Sequence, residues 1–230
     1  MISPLKRSLG LLAALLLMSV SGRAPAQAYY EQVYRPWQPV HWHLEAGYSP
    51  TLGQTSQYLD GGWTIGGGLT WQPHPGTPLA LRADLDYSYF YATRNLIAIN
   101  EQANQTQIDN GYGEVFGLNV DGEYRMALGP TTQAFALAGI GVNHRRLALT
   151  QTVAVGTYFC DYYFGYCDYG LAPGDVVVAS ADTTRFSWNA GVGLDFDLRN
   201  GQTLFIEARY MRLETSHPTE FVPITVGLRF

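Results

Sequence analysis

Charged residues stand at alternate positions in several segments of this chain, so that pairs of them are two positions apart. Asp84 and Asp86 form one such pair, and Glu123 and Arg125 form another. Paired carboxylates are the groups that many hydrolases use as general acid and base. The same pattern is typical of buried ion pairs, where arginine is favoured over lysine because its planar guanidinium binds carboxylates at two points. We interpret the set as an ion-pair network, with the members Arg82, Asp84, Glu123, Arg125, Asp195, Glu207, Arg209 and Arg229.

The two cysteines of the sequence, Cys160 and Cys167, allow either a disulfide or a metal site. In an exported protein they should be oxidised to a disulfide. Closing so short a loop would stabilise its ordered form by roughly 2 to 3 kcal/mol in the chain-entropy model. Together with Asp161 and Asp168 the cysteines would offer metal ligands, but no histidine lies nearby. We therefore expect the disulfide, and neither a metal ion nor another cofactor.

Aromatic residues are concentrated around these cysteines at a density that a folded core does not require. Exposed rings held in place by a disulfide are a common basis for binding surfaces. Packing of the rings on one another and on the neighbouring structure is an equally good interpretation. The residues of this predicted binding loop are Tyr158, Phe159, Tyr162, Tyr163, Phe164, Tyr166 and Tyr169.

The elements that carry these residues are predicted to be strands, because apolar residues recur at every second position. Residues 186–198 show the longest alternation of this kind. Asn200-Gly201, the strongest two-residue hairpin signal, marks one turn, and the proline-rich residues 72–78 mark another. We expect eight strands, at about residues 40–48, 62–71, 79–90, 114–126, 133–145, 185–198, 203–210 and 221–230.

Two connections are much longer than the others. Residues 91–112 are rich in Asn and Gln and are expected to form a polar loop. Residues 146–184 are the longest connection and are expected to be partly a strand extension. In the fifth strand the two faces are similar in composition, and we place Asn143 and Arg145 inward. The residues that then face outward are Ala136, Ala138, Ile140 and Val142.

Apolar faces on so many strands indicate a chain that crosses a membrane as a closed barrel, since a lone strand would leave its backbone polar groups unpaired in hydrocarbon. The last ten residues alternate in the same way and end on an aromatic residue, Phe230. With Glu207-Ala-Arg-Tyr210 and Gly227-Leu-Arg-Phe230, this end of the chain resembles the outer-membrane β-barrel domain of the OmpA/OmpX-like group. A soluble sandwich or lipocalin-like barrel is the alternative, but its exterior should be polar.

This resemblance implies an all-β fold, an eight-stranded antiparallel transmembrane up-and-down β-barrel in the outer membrane of a Gram-negative cell. It also implies that Phe230 belongs to the signal read by the barrel-insertion machinery. The interior of such a barrel is just wide enough for side chains to fill. We therefore expect the ion pairs to lie there.

The N-terminal residues are expected to be a secretory signal. Lys6 and Arg7 precede a mostly apolar run, and Ala26-Gln27-Ala28 supplies the small residues of a cleavage site. A membrane anchor is the alternative, but the run is shorter than the roughly 20 residues that a bilayer requires. We predict a signal peptide at 1–28, a periplasmic lead-in at 29–39 and the barrel domain at 40–230.

Removal of the signal makes the protein more acidic. Lys6, Arg7 and Arg23 are lost, so the net charge changes from −5 to −8. The remaining arginines are scattered among acidic residues, whereas nucleic-acid binding needs clustered positive charge. We expect no nucleic-acid partner. The resemblance implies outer-membrane lipids and lipopolysaccharide as surroundings, and we expect a monomer.

For function, we expect a structural or adhesin-like protein that binds a host or cell-surface ligand through its extracellular loops. A lipid A-modifying enzyme and a narrow, porin-like channel are the alternatives. Enzymes of this size class place a His and a Ser at the outer rim, and the candidates here are His144, Ser216 and His217. Ser216 and His217 are neighbours that would point to opposite sides of an extended chain, and packed arginines would block a channel. We expect no enzymatic activity.

Overall fold

An antiparallel sheet that closes on itself accounts for most of the described chain. The computed structural model describes residues 38–161, 163, 165–198 and 201–230, without the side chains of Asn104 and Phe159. The predicted signal peptide and residues 29–37 of the predicted lead-in lie outside the described residues. The strands are β1 (Val40–Ser49), β2 (Leu59–Trp71), β3 (Leu79–Ala92), β4 (Asn110–Ala127), β5 (Thr132–Asp161), β6 (Tyr166–Asp197), β7 (Thr203–Leu213), β8 (Thr219–Phe221) and β9 (Ile224–Arg229).

The sheet closes between the first and last strands. From β1 to β8 each strand pairs with the next one in the sequence, and β9 pairs with both β1 and β7. Trp42 and Phe230 exchange two backbone hydrogen bonds of 2.9 Å at one end of this seam. β8 and β9 are two parts of one strand, interrupted at Pro223, which has no N–H to donate to the ladder. The predicted ring of eight strands is therefore confirmed.

The two faces of the strands are as different as the sequence predicts. In β1 the side chains of Trp42 and Leu44 are exposed on the outer face, whereas His43 and Glu45 are buried inside. The predicted register of the fifth strand is also correct, because Ile140 and Val142 are exposed and Asn143 is 1% exposed. An apolar exterior and a polar interior are the reverse of a soluble barrel.

Half of the segment predicted to be a polar loop, residues 91–112, is a helix. A helix, α1 (Arg94–Asn104), follows β3, and the Thr93 side chain caps its N-terminus by accepting a hydrogen bond from the Leu96 N–H. Leu96 and Ile97 pack against a buried apolar cluster at this end of the barrel. A short 3-10 helix, Thr55–Gln57, lies at the same end. Neither helix in the described residues has the length and apolarity needed to cross a membrane.

Most of the connection predicted for residues 146–184 is a continuation of two strands. β5 and β6 remain paired as far as Asp161 and Tyr166, well beyond the last pairing of β5 with β4 at Thr150. β6 joins β7 only from Ser187 onward. The prediction of a strand extension was correct, but its extent was underestimated.

Candidate functional site

The part of the β5–β6 hairpin outside the barrel is a two-stranded structure, which we call the ribbon and define as residues 151–176. Within it, β5 and β6 pair only with each other. Eleven residues of β5 at about 3.3 Å each give it a length of roughly 35 Å. The pairing shifts by one residue where the ribbon begins, because Leu149 faces Ala179 but Thr150 faces Val177. Such a bulge bends a strand and increases its twist.

The tip of the ribbon is closed by the disulfide. Cys160 and Cys167 occupy directly opposed positions of the two strands and are bonded to each other. The turn beyond them uses Gly165 with φ +67°, a conformation that favours glycine. Because both sulfur atoms are in the disulfide, they are not available as metal ligands. Within the described ranges, no group of three or more His, Cys, Asp or Glu side chains is arranged to hold a metal ion.

One face of the ribbon is aromatic. Tyr158 and Tyr169 are opposed to each other and share a face with the disulfide. They are 68% and 70% exposed, and Leu171 beside them is 75% exposed. The Tyr169 ring lies across Gly156, where an added Cβ would collide with the tyrosine oxygen. Glycine at this position therefore lets the ring lie flat along the strand.

The other predicted loop residues are distributed over the turn and the opposite face. Tyr163 is 89% exposed in the turn, and its N–H donates to the Asp161 carboxylate at 2.9 Å. Tyr166 lies on the face opposite to Tyr158, and its hydroxyl donates to Asp168 at 2.9 Å. Tyr162, Phe164 and the side chain of Phe159 lie outside the described residues. The described tyrosines project into solvent and do not pack on the barrel rim.

The ribbon is also acidic. Asp161, Asp168 and Asp175 lie within it, and no lysine or arginine occurs between Arg146 and Arg185. The field around the tyrosines is therefore negative, which favours neutral or positively charged partners over anionic ones.

Inside the barrel the predicted charged residues form one connected network. Arg82 has its Nη1 atom 2.6 Å from Glu207, its Nε atom 2.8 Å from Asp84 and its Nη2 atom 3.2 Å from Glu45. Arg209 binds Asp84 and Glu207 as well, at 2.7 Å each. Two guanidinium groups therefore share two carboxylates, an arrangement that holds β1, β3 and β7 together across the interior.

The network continues toward the end of the barrel where Phe230 lies. Arg229 has its Nη1 atom 2.8 Å from Asp195 and its Nη2 atom 3.5 Å from Glu123, which also accepts a hydrogen bond from Arg125. All eight residues of the predicted set thus take part in ion pairs of the interior. Neutral donors satisfy further carboxylates, as in the 2.8 Å hydrogen bonds from Asn119 to Asp86 and from Asn189 to Asp121.

Two apolar clusters pack against this network, and the Arg229 guanidinium lies over the rings of Phe135 and Phe205. Phe135, Leu137 and Phe205 form a cluster on the side of Phe230. A larger cluster lies on the side of the ribbon, and it consists of Leu59, Phe90, Leu96, Ile108, Val115, Leu149, Met211, Leu213 and Phe221. The paired carboxylates are buried, and an ion crossing the barrel would have to pass both clusters and the charged residues between them. This arrangement is that of a packed interior.

The predicted rim residues are arranged differently from the expectation. Ser216 and His217 both line one open cleft at the ribbon end of the barrel, because the chain bends there instead of running extended. In the described structure, no hydrogen bond joins Ser216 to His217 or to His144, whose ring nitrogen lies 3.0 Å from the Thr184 hydroxyl. A serine nucleophile needs a base within hydrogen-bond reach. This geometry lacks that contact.

The sequence did not predict that these residues form one cleft. Its lining includes Tyr58, which precedes β2, Leu96 of α1 and Arg185 of β6. The alternation of β6 predicts an interior position for Arg185, but this residue is exposed at the mouth. Alternation gives the face on which this side chain lies, and only the three-dimensional structure gives its height along the barrel.

Comparison with known proteins agrees with this fold. A family model described as "Outer membrane protein beta-barrel domain" matches residues 12–230. The Neisserial surface protein A structure is similar with a TM-score of 0.50 and 9% identity, over 84% of this chain and 96% of that chain. A comparison with proteins of curated function gave no match.

Two further solved structures are similar. A major outer membrane protein from Thermus thermophilus gives a TM-score of 0.48 at 12% identity, over 84% of this chain and 99% of that chain. The outer membrane enzyme PagL gives 0.42 at 18% identity, over 82% and 98% of the two chains. Similarity at these identities concerns the fold alone.

Proposed function

We propose, from the premise that this chain belongs to the outer membrane protein β-barrel domain family, that it is an adhesin-like protein whose ribbon binds a ligand outside the cell. The protein is a transmembrane β-barrel of the Gram-negative outer membrane. The observation that carries the proposal is the aromatic face of the ribbon. Tyr158 and Tyr169 are held side by side, largely exposed, next to a disulfide.

The physical argument is one of preorganisation. A flexible loop must lose conformational entropy when it binds, at about 0.5 to 1.5 kcal/mol for each immobilised side chain. Backbone pairing up to Asp161 and Tyr166 and the bond between Cys160 and Cys167 remove much of that cost in advance. Tyrosine adds a large contact area with few rotatable bonds. Folding of the barrel does not require such a surface.

The position of the ribbon supports an extracellular ligand. It leaves the barrel at the end opposite to Phe230. With both termini in the periplasm, as the family resemblance implies, this end faces the exterior. Its length of roughly 35 Å is sufficient to carry the aromatic face beyond the lipid surface, where a host surface or a neighbouring cell is accessible.

The first experiment tests the disulfide. Cells that express the Cys160→Ser/Cys167→Ser double variant should adhere less well to host cells than wild-type cells, because the tip loses its preorganisation. The barrel should still migrate differently in SDS gels before and after boiling, that is, remain heat-modifiable. External protease should cut the ribbon faster than in the wild type. Undiminished adhesion of a variant with a loosened ribbon would overturn the proposal.

The second experiment moves one ring without removing it. In Gly156→Ala the new methyl group collides with the Tyr169 side chain, which must leave its place on the strand. Adhesion should fall in Gly156→Ala and in Tyr169→Ser to a similar extent. Tyr166→Ser removes a tyrosine from the opposite face and is the matched control, in which adhesion should be retained. Equal loss in all three variants would argue against a binding surface on the Tyr158 face.

Topology is tested independently on intact cells. Protease added outside should cut within residues 151–176 without any permeabilisation of the outer membrane. Cleavage that requires a broken membrane would mean that the orientation is inverted. A changed lipid A mass spectrum or a conductance in planar bilayers would support the enzyme or the channel alternative instead.

A further inference from the structure

The mouth of the barrel beside the ribbon holds an open cleft of about 390 Å³. It lies between the Tyr58 region, α1, the bases of β5 and β6, and the loop that follows β7. Its lining combines polar and charged side chains with the apolar side chains of Leu96 and Leu147. The cleft is separate from the aromatic face of the ribbon, so a ligand could occupy it whether or not the ribbon is adhesive.

Two arginines of this cleft differ from those of the interior. Arg145 and Arg185 both line it, and neither has a carboxylate within ion-pair distance among the described residues. Arg145 donates to the Thr219 hydroxyl at 2.8 Å, but its Nε–H is buried without a hydrogen-bond partner. The described arginines that do form ion pairs are Arg82, Arg125, Arg146, Arg209, Arg212 and Arg229.

The pairing of the strands brings these two charges together. Arg145 is opposite Thr183, and Arg185 is opposite Asn143, so the arginines are diagonal neighbours on the same face. Side chains in that relation start roughly 7 to 8 Å apart, and like charges on neighbouring positions of a sheet repel each other. An anion between the two guanidinium groups would remove the repulsion and accept hydrogen bonds from their N–H groups.

The other lining groups define what the anion is attached to. The hydroxyl of Ser216 and the ring of His217 can form hydrogen bonds, while Tyr58 offers a partly exposed aromatic ring. An aromatic ring beside hydroxyl and guanidinium groups fits the faces and substituents of a sugar that carries an oxyanion.

We propose that this cleft binds a saccharide bearing a phosphate or sulfate group, with Arg145 and Arg185 holding the oxyanion. Such a group is available from two sources, the phosphorylated headgroups of lipids in the outer leaflet and anionic glycans from outside the cell. The chemistry that the cleft recognises is the same in both cases. The experiment distinguishes the two sources.

Titration calorimetry on the refolded protein in detergent tests the proposal with three soluble probes. The first is a bisphosphorylated glucosamine disaccharide without acyl chains, the second is a disulfated disaccharide, and the third is an uncharged disaccharide. Tighter binding of the first assigns the cleft to lipid headgroups, and tighter binding of the second assigns it to external glycans. Equal binding of the two identifies the oxyanion itself as the recognised group.

The variants identify the site. Arg145→Gln/Arg185→Gln should weaken binding of the anionic probes at least tenfold, and Arg185→Gln alone should weaken it less. Arg146→Gln is the matched control, because Arg146 is the next residue on the outer face and pairs with Asp182 at 3.8 Å. It should bind as the wild type does. Heat-modifiability of each variant verifies that the barrel is intact.

Three results would overturn the proposal. These are binding of neither anionic probe, equal binding of the uncharged disaccharide, and undiminished binding by the double variant. Since Arg185 is exposed, Arg185→Gln keeps the test valid even if the change at Arg145 disturbs folding.

Discussion

Replacing Arg82 by methionine should be among the most damaging single changes in the barrel. The side chain is 1% exposed, and its guanidinium lies 2.6 Å from Glu207, 2.8 Å from Asp84 and 3.2 Å from Glu45. Methionine fills much of the volume of the arginine side chain. The three carboxylates, however, lose the positive charge that lies between them. Breaking a buried ion pair by removing one partner costs about 3 to 5 kcal/mol, because the other charge stays buried and uncompensated.

Reversible unfolding in urea, with the protein in lipid vesicles and tryptophan fluorescence as the signal, measures this cost. With a slope of about 2 kcal/mol per molar urea, a loss of about 4 kcal/mol lowers the midpoint by roughly 2 M. Arg146→Met is the matched control, because its pair with Asp182 is long at 3.8 Å and exposed. Such surface pairs contribute about 1 kcal/mol or less.

A second substitution tests the cause of the destabilisation. If uncompensated carboxylates are responsible, Arg82→Met/Glu207→Gln should be more stable than Arg82→Met, because one of the charges has gone. Lysine at position 82 should rescue only part of the loss, since it cannot contact three carboxylates with a planar fork. The reasoning is refuted if the free energies of unfolding of Arg82→Met and Arg146→Met differ by less than about 1 kcal/mol. That result would mean that water compensates the interior charges.

The closed sheet, its outer face and its last residue each provide a further prediction. Unheated protein should migrate differently from boiled protein in SDS gels, because a ladder without a free edge resists detergent; identical mobility would contradict closure. Val192→Arg should lower the free energy of unfolding in lipid by about 2 to 4 kcal/mol, because Val192 is 63% exposed on the outer face. Gly193→Ala acts differently, because its new methyl group collides with the Phe135 ring inside the barrel. Spin labels at the two positions with equal lipid accessibility would refute this register. Deletion of Phe230 removes its hydrogen bonds to Trp42 and the insertion signal, so the protein should remain in the periplasm, and normal outer-membrane levels would disprove the role of this residue.

The faces of the strands could be read from the sequence because lipid and the barrel interior select opposite side chains at alternate positions. This held even for β5, where alanine, glycine and leucine occupy both faces. Asn143 decided the register there, and it is 1% exposed in the structure. A single polar side chain was sufficient because a shift by one residue would turn every side chain to the other face.

The helix α1 could not be predicted in the same way. Five of its eleven residues are apolar. Two of them, the buried Leu96 and the partly buried Ile97, pack against residues from distant strands. The helix ends at Gln105, which has φ 49°, and the Glu101 carboxylate accepts a hydrogen bond from the Ile108 N–H at 3.0 Å. A helix of this length is marginal in isolation, so the tertiary packing of Leu96 and Ile97 adds to the Thr93 cap in stabilising it.

The sequence also did not predict which charged side chains pair with each other inside the barrel. Arg82 and Glu207 are 125 residues apart, and their 2.6 Å contact depends on how the sheet closes between β1 and β9. The alternation predicts which side chains enter the interior, but it does not give the height at which each one lies. For the same reason, the absence of a described carboxylate partner for Arg145 and Arg185 became visible only in three dimensions.

The ribbon has a consequence for how this surface can change during evolution. Its residues are matched one to one from Gln151 and Val176 to Cys160 and Cys167. Inserting a single residue into one strand would turn all side chains beyond it to the opposite face. The two cysteines would then no longer occupy opposed positions. Adding two residues to each strand would lengthen the ribbon by about 7 Å and keep the tyrosines and the disulfide on one face. Homologous ribbons are therefore expected to differ in length by such paired steps, while the barrel beneath them keeps its size.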